Sequence, residues 1–264
     1  MTSRSLLLLA ALALASCGGG GQPAAPAAKA PPATEDIAAG NTVPDESAPP
    51  ADETSKPESS ASAAVPSNET SASPTSARFQ LGKHYDRLSP TQPTSSSPDK
   101  VEVAEVFWYG CPHCFAFDPL LKSWVAKKPE YVSFVRVPVV WSPVSKIHAR
   151  AFYTAEALDK TAEMHEALFR EIHDNQNLLD TEDKLQTFFA KFGVDATTFK
   201  THFDSFSVHA KLQRADELNR RYKVEGVPTI VVNGKYTTDA VMAGGYEELL
   251  ALIGELAASE HAGK

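Results

Sequence analysis

Cys111 and Cys114 flank Pro112 and His113 in a chain whose one other cysteine is Cys17. Two thiols at this spacing can close and reopen a disulfide with little backbone movement, which suits them to redox exchange. An apolar run, Val101 to Gly110, leads into the pair, and a helix-compatible segment follows it. Cys111 is therefore expected at a helix N-terminus, where the dipole and the unpaired N–H groups favour a thiolate. His113 is placed to donate to that thiolate or, protonated, to attract it. Stabilising the thiolate stabilises the reduced pair and makes the disulfide the stronger oxidant. Cys111 is read as the exposed, reactive sulfur and Cys114, one turn deeper, as the buried resolving one.

Two plainer readings stand beside this one. Zinc commonly takes four ligands from two such cysteine pairs, and no second pair exists here. A structural bridge gains most by closing a long loop, and this loop is close to the shortest possible. Redox work is the reading carried forward, with no metal and no cofactor beyond the disulfide itself.

Two further groups could serve that chemistry. Gly226-Val227-Pro228 precedes a short apolar segment. Pro228 could simply open an edge strand, or the Val227–Pro228 bond could be cis and face the cysteine pair. A cis bond would turn the Val227 backbone outward to pair with an extended substrate peptide. Glu105 lies inside the apolar run, six residues before Cys111. It is either an outward-facing strand residue or a buried acid of raised pKa that relays a proton during thiol exchange. Arg136 in a neighbouring strand is its candidate charge partner. The remaining histidines read as surface or core residues.

These residues need a scaffold, and the pattern around them is α/β. Lys100 to Tyr109 is β-rich and nearly all apolar from Val103 onward, as in a strand covered on both faces. Tyr131 to Val140 reads as a second strand. Between them a helix from about Pro112 to Lys127 carries Phe115, Leu120, Leu121, Trp124 and Val125, with Pro119 expected to kink it. From about residue 142 to 222 the period turns helical, with helices near Lys146–Leu158, Lys160–His173, Glu182–Phe192, Ala196–Phe203 and Ser207–Tyr222. They read as a helical subdomain inserted into the α/β domain. The sheet resumes at Pro228–Val232, turns at Asn233-Gly234 as a type I′ hairpin, and continues from Lys235. A last helix runs from Tyr246 to about Ala258.

The first part of the chain looks different. Leu6 to Ala15 is an apolar run of signal-peptide length behind a single positive charge at Arg4. It leads into Leu14-Ala15-Ser16-Cys17, so residues 1–17 resemble a lipoprotein signal whose Cys17 takes the lipid. Ordinary cleavage after Ala13-Leu14-Ala15 is the alternative. Either route exports the protein to a compartment where disulfides persist. Residues 18–78 contain ten of the chain's 19 prolines and no aromatic residue. Such a composition buries too little apolar surface to offset the entropy of ordering, so this stretch is read as a disordered tether. As a flexible coil it would reach roughly 40–50 Å. Residues 79–264 remain for one folded domain. The net charge of −8 is spread along the chain and forms no basic stripe, which argues against nucleic acid.

From about Phe79 to Ala258 the chain resembles the DsbA family of periplasmic thiol:disulfide oxidoreductases. The resemblance rests on Cys111-Pro112-His113-Cys114-Phe115, on Glu105 before it, on Gly226-Val227-Pro228, and on Val232-Asn233-Gly234-Lys235-Tyr236. Lys83-His84-Tyr85-Asp86-Arg87-Leu88 looks similar as well. It implies a thioredoxin fold with a helical insertion, reduced or unfolded exported proteins as substrates, and reoxidation by a DsbB-like quinone-linked membrane oxidase. The lipid tether departs from the best-known members, which are soluble. A disulfide isomerase or reductase of the same fold is the nearest rival. Isomerases of this compartment usually carry an N-terminal dimerisation domain and often have Thr where Val227 stands. A metal-handling or adhesion lipoprotein is the more distant one.

Overall fold

A computed structural model describes residues 78–264. The expected signal, Cys17 and nearly all of the expected tether lie outside the described residues.

In chain order the elements are β1 (Asp86–Arg87), β2 (Val101–Phe107), α1 (Pro112–Lys127), β3 (Val132–Pro138), α2 (Pro143–Ala157), α3 (Thr161–His173), α4 (Glu182–Ala190), α5 (Ala196–Phe203), α6 (Phe206–Arg221), β4 (Thr229–Val232), β5 (Tyr236–Thr238), α7 (Ala240–Ala243) and α8 (Tyr246–Ala262). The strands form one five-stranded sheet in the order β1-β5-β4-β2-β3. β2 pairs parallel with β3 and antiparallel with β4, so the helix α1 is the crossover of a βαβ unit. Every residue of β2 is buried, which is why it carries no polar–apolar alternation.

The sheet divides its side chains with the period of two that a strand imposes. Ala104, Val106 and Val231 join Phe152, Phe169 and Phe199 in a core formed with the insertion, and Phe107, at the end of β2, joins them out of period. Val101, Val103, Ile230 and Val232 join Phe117, Leu121, Leu249, Leu252 and Ile253 in a second core under α1 and α8. Helices α2 to α6 form the expected insertion between β3 and β4.

Most boundaries agree with the sequence pattern, and the departures have local causes. α2 begins at Pro143, earlier than the apolar period indicates, because Ser142 and Ser145 form a reciprocal capping box with Pro143 at the first turn. α4 stops at Ala190, with Thr181 capping its start and Gly193 following in the left-handed region at φ 76°. α8 runs on to Ala262, since Glu260 in its last turns accepts from Asn233 Nδ2 and Lys235 Nζ, both at 2.6 Å. Pro119 sits within α1, where it removes the N–H that would reach the Phe115 carbonyl. The Asn233-Gly234 turn has both residues at positive φ, 51° and 64°, as a type I′ hairpin requires. The short elements β1 and α7 and the cis Ser89–Pro90 bond have no signal in the apolar pattern.

Candidate active site

β2 ends at Phe107, and the chain then turns through Trp108, Tyr109 and Gly110 so that Cys111 N–H donates to the Trp108 carbonyl at 3.0 Å. Cys111 is the N-cap of α1, in an extended conformation, with Pro112 in the first turn. Its side chain makes no cap hydrogen bond, but the His113 and Cys114 N–H groups, which a helix start leaves unpaired, favour its thiolate. A Cβ on Gly110 would lie 2.5 Å from the Trp108 ring, so only glycine lets the indole lie across this turn.

The two thiols, free in this structure, sit in opposite environments. Hydrogen bonding from the Cys114 thiol, then from the Cys114 and His113 N–H groups, lowers the Cys111 pKa from 9.0 to about 6 against the opposing effect of burial. Cys114 is fully buried, and burial pushes its thiol far above the ordinary range. One sequence expectation needs correction. Cys111 is not exposed: 7% of its surface is accessible, because the loop before β4 covers it. His113 is exposed, and its charge contributes less to the Cys111 thiolate than the Cys114 thiol and the helix amides do. Solvent screens an exposed charge, whereas the Cys114 thiol is fully buried.

The covering loop is the one expected. The Val227–Pro228 peptide is cis, and the Cys111 thiol donates to the Val227 carbonyl at 3.4 Å. The pair therefore lies between a helix start and a backbone carbonyl 116 residues further along the chain.

Glu105 is fully buried, so it is not an outward-facing strand residue. The β2–β3 register sets it directly beside Arg136. Arg136 Nε donates to Glu105 Oε2 at 2.9 Å, while Oε1 has no hydrogen-bond partner. Burial raises the Glu105 pKa from 4.5 to about 7, more than Arg136 lowers it. Its charge also opposes ionisation of Cys114, which ties the acid to the resolving thiol.

Several neighbours of the pair were not singled out by the sequence pattern. Asp118, four residues after Cys114 on α1, accepts from Arg136 Nη2 at 2.9 Å and pairs with His165 Nε2 at 3.1 Å. His173 Nε2 donates to the Tyr109 carbonyl at 2.8 Å, and its ring stacks on Phe115 with centroids 4.7 Å apart. The Trp108 indole N–H donates to His148 Nδ1 at 3.1 Å, whose Nε2 donates to the Leu178 carbonyl. The spacing of Cys114 and Asp118 puts both on one helix face, which is a readable signal; the histidines come from α2 and α3 and have none. Among the described residues no cluster of three or more His, Cys, Asp or Glu could hold a metal ion.

A family model described as a DSBA-like thioredoxin domain matches residues 137–252. The chain is 41% identical over 184 residues to the thiol:disulfide interchange protein DsbA of Pseudomonas aeruginosa, a match spanning 70% of this chain and 87% of that one. The chain belongs to the DsbA family. The DsbA of Azotobacter vinelandii is 39% identical over 184 residues, covering 70% of this chain and 86% of the relative. In three dimensions this DsbA-family chain superimposes on the crystal structure of P. aeruginosa DsbA with a TM-score of 0.68 at 40% identity, covering 71% of this chain and 97% of that one. For DsbA of Xylella fastidiosa the TM-score is 0.66 at 31% identity, covering 70% and 99%. The protein is accordingly a DsbA-like thiol:disulfide oxidoreductase with the thioredoxin fold. The family model starts after the Cys111–Cys114 pair and spans the whole insertion and the strands β4 and β5.

Proposed function

We propose that this enzyme works as a dithiol oxidase, donating a Cys111–Cys114 disulfide to reduced exported proteins. The observation that carries the reading is the asymmetry of the pair: Cys111 titrates at about 6, while the buried Cys114 strongly resists ionisation. In the oxidised enzyme a substrate thiolate attacks Cys111 Sγ, the Cys111–Cys114 bond breaks, and the electron pair leaves on Cys114. Glu105, its pKa raised to about 7, supplies the proton that neutralises Cys114. A second substrate thiolate then attacks the substrate sulfur of the mixed disulfide and expels Cys111 as a thiolate. The substrate has lost two electrons and the enzyme pair has gained them. The low pKa of Cys111 makes it the better leaving group, which drives release of the oxidised substrate. The Val227 carbonyl and the Val227–Pro228 segment, facing Cys111, form the backbone against which an extended substrate segment pairs.

Equilibration with glutathione buffers tests this reading. The expected reduction potential is well above that of a thioredoxin, about −270 mV. A value as low as thioredoxin's would overturn the oxidase reading in favour of a reductant. Reoxidation is assigned to a DsbB-like quinone-linked membrane oxidase, and the site of action to the periplasm. Cys17 is proposed as the lipid attachment point that tethers the domain to a membrane. Mass spectrometry of the mature N-terminus checks the tether, and an unmodified Ser16 start would remove it.

A further inference from the structure

Two buried acids share one cation beneath the thiol pair. Glu105, Asp118 and His165 expose 1%, 4% and 8% of their side chains, and Arg136 exposes 17%. The Arg136 guanidinium is permanently charged. Burying two carboxylates against it would leave a net negative charge out of water, so near neutrality the cluster retains one proton. The hydrogen bonds decide which acid holds it. Asp118 Oδ1 receives both Arg136 Nη2 and His165 Nε2. Glu105 receives Arg136 Nε alone, on Oε2, and its buried Oε1 is free.

His165 is oriented for this task. A carboxylate facing Nε2 requires an N–H there, so Nδ1 is bare and accepts the Tyr109 hydroxyl, 2.8 Å away. The rings of Phe107, Phe152 and Phe169 pack around the imidazole at 5.3, 6.2 and 5.2 Å. The charged groups that face it are Asp118 and Lys122 from α1 and Arg136 from β3; burial and the two cations keep the ring neutral against the pull of Asp118. Those facing Glu105 are Arg136, Asp118, the Tyr109 hydroxyl and the Cys114 thiol, while its β4 neighbour is the apolar Ile230.

We propose that His165 is a positioning residue of the redox site: its Nε2–H holds Asp118 as the anion of the cluster and thereby leaves the exchangeable proton on Glu105, beside Cys114. This role deepens the Glu105 relay proposed above, and the two can fail separately. The helical insertion, through α3, would then govern proton supply to a thiol on α1.

The test follows the carboxylic-acid C=O band of Glu105 by infrared titration of the full-length dithiol protein, the band being identified by its loss in Glu105→Gln. In the wild type its midpoint should lie near neutrality. Asp118→Asn leaves Arg136 to Glu105 alone and should lower the midpoint by about one pH unit or more. His165→Phe should lower it in the same direction, by letting Asp118 compete for the proton. His165→Gln, which keeps a donor, should restore it. An unchanged midpoint in Asp118→Asn, or equal falls in His165→Phe and His165→Gln, would overturn the role of His165. Asp118→Asn is nearly isosteric and carries the test should His165→Phe fail to fold. The rate at which Cys114 resolves a mixed disulfide on Cys111 reads the relay itself. If Glu105→Gln leaves that rate unchanged, the relay falls, while the placement of the proton is judged by the band alone.

Discussion

At Cys111 the stabilising contacts come from its own motif's backbone and from its partner thiol. Cys114→Ala should therefore raise the Cys111 pKa more than His113→Ala does, because it removes the largest stabilising contact. Titration of the thiolate absorbance in both variants checks the order, and a larger effect of His113→Ala would refute it. Glu105 could be picked out in the sequence because a charge in an unbroken apolar strand must be buried or turned away, and six residues fix its distance from the pair. Asp118 was harder to see: it follows Cys114 by one helical turn but stands beside Pro119 in a segment whose apolar face is irregular. His148, His165 and His173 could not be assigned from sequence, since each acts across a helix-to-loop or helix-to-helix contact. A further test at this scale is Phe107→Ala. Its ring meets Tyr109, Phe152, His165 and Phe169 at centroid separations of 5.1 to 6.1 Å. The loss should be about 3–5 kcal/mol by chemical denaturation.

Among the elements, the hairpin after β4 and the helix end after α4 both turn on a glycine, yet for different reasons. Gly193 has φ 76° with open space around it, and Gly234 has φ 64° with its missing Cβ 2.0 Å from the Gln92 carbonyl oxygen. Gly193→Ala should cost about 1–2 kcal/mol, the left-handed penalty alone. Gly234→Ala should cost clearly more, because the loop that packs on the hairpin must also move. Equal midpoints in urea for the two variants would contradict this. The hairpin itself was plain in the sequence, since Asn-Gly is a local instruction. The clash with Gln92 was not, because it joins segments far apart in the chain. The same distinction explains the helix boundaries: α5 follows from its period, whereas the start of α2 rests on the Ser142–Ser145 box and the end of α8 on Glu260 reaching the hairpin.

For the whole molecule, the thiol asymmetry links redox state to stability. The folded Cys111 pKa, about 6, lies below its ordinary 9.0, so the dithiol form gains stability that is complete above the ordinary value and vanishes as pH falls through about 6. At pH 7 the gain should be about 1 kcal/mol. Above pH of about 9 it is eroded again, because Cys114 ionises only in the unfolded chain. The melting temperature of the dithiol form relative to the disulfide form should therefore rise between pH 5 and pH 9. A difference that is flat across that range would show that Cys111 is not the thiolate the site is built around. The order of strands and helices was legible from hydrophobic period alone, but the burial of Cys111 under the Val227 carbonyl depends on tertiary folding.

β3 closes one border of the sheet among the described residues. A seven-residue strand there, with mostly apolar side chains, invites another chain to add to it, the first step of self-association. Arg136 lies midway along it with its charge turned inward onto Glu105 and Asp118, and the Asn219 side chain donates to the Pro138 carbonyl at its end. A foreign strand that shifted β3 from its register with β2 would strip a buried guanidinium of both its counter-ions. The ion cluster beneath the thiols thus also pins the border strand in its register with β2.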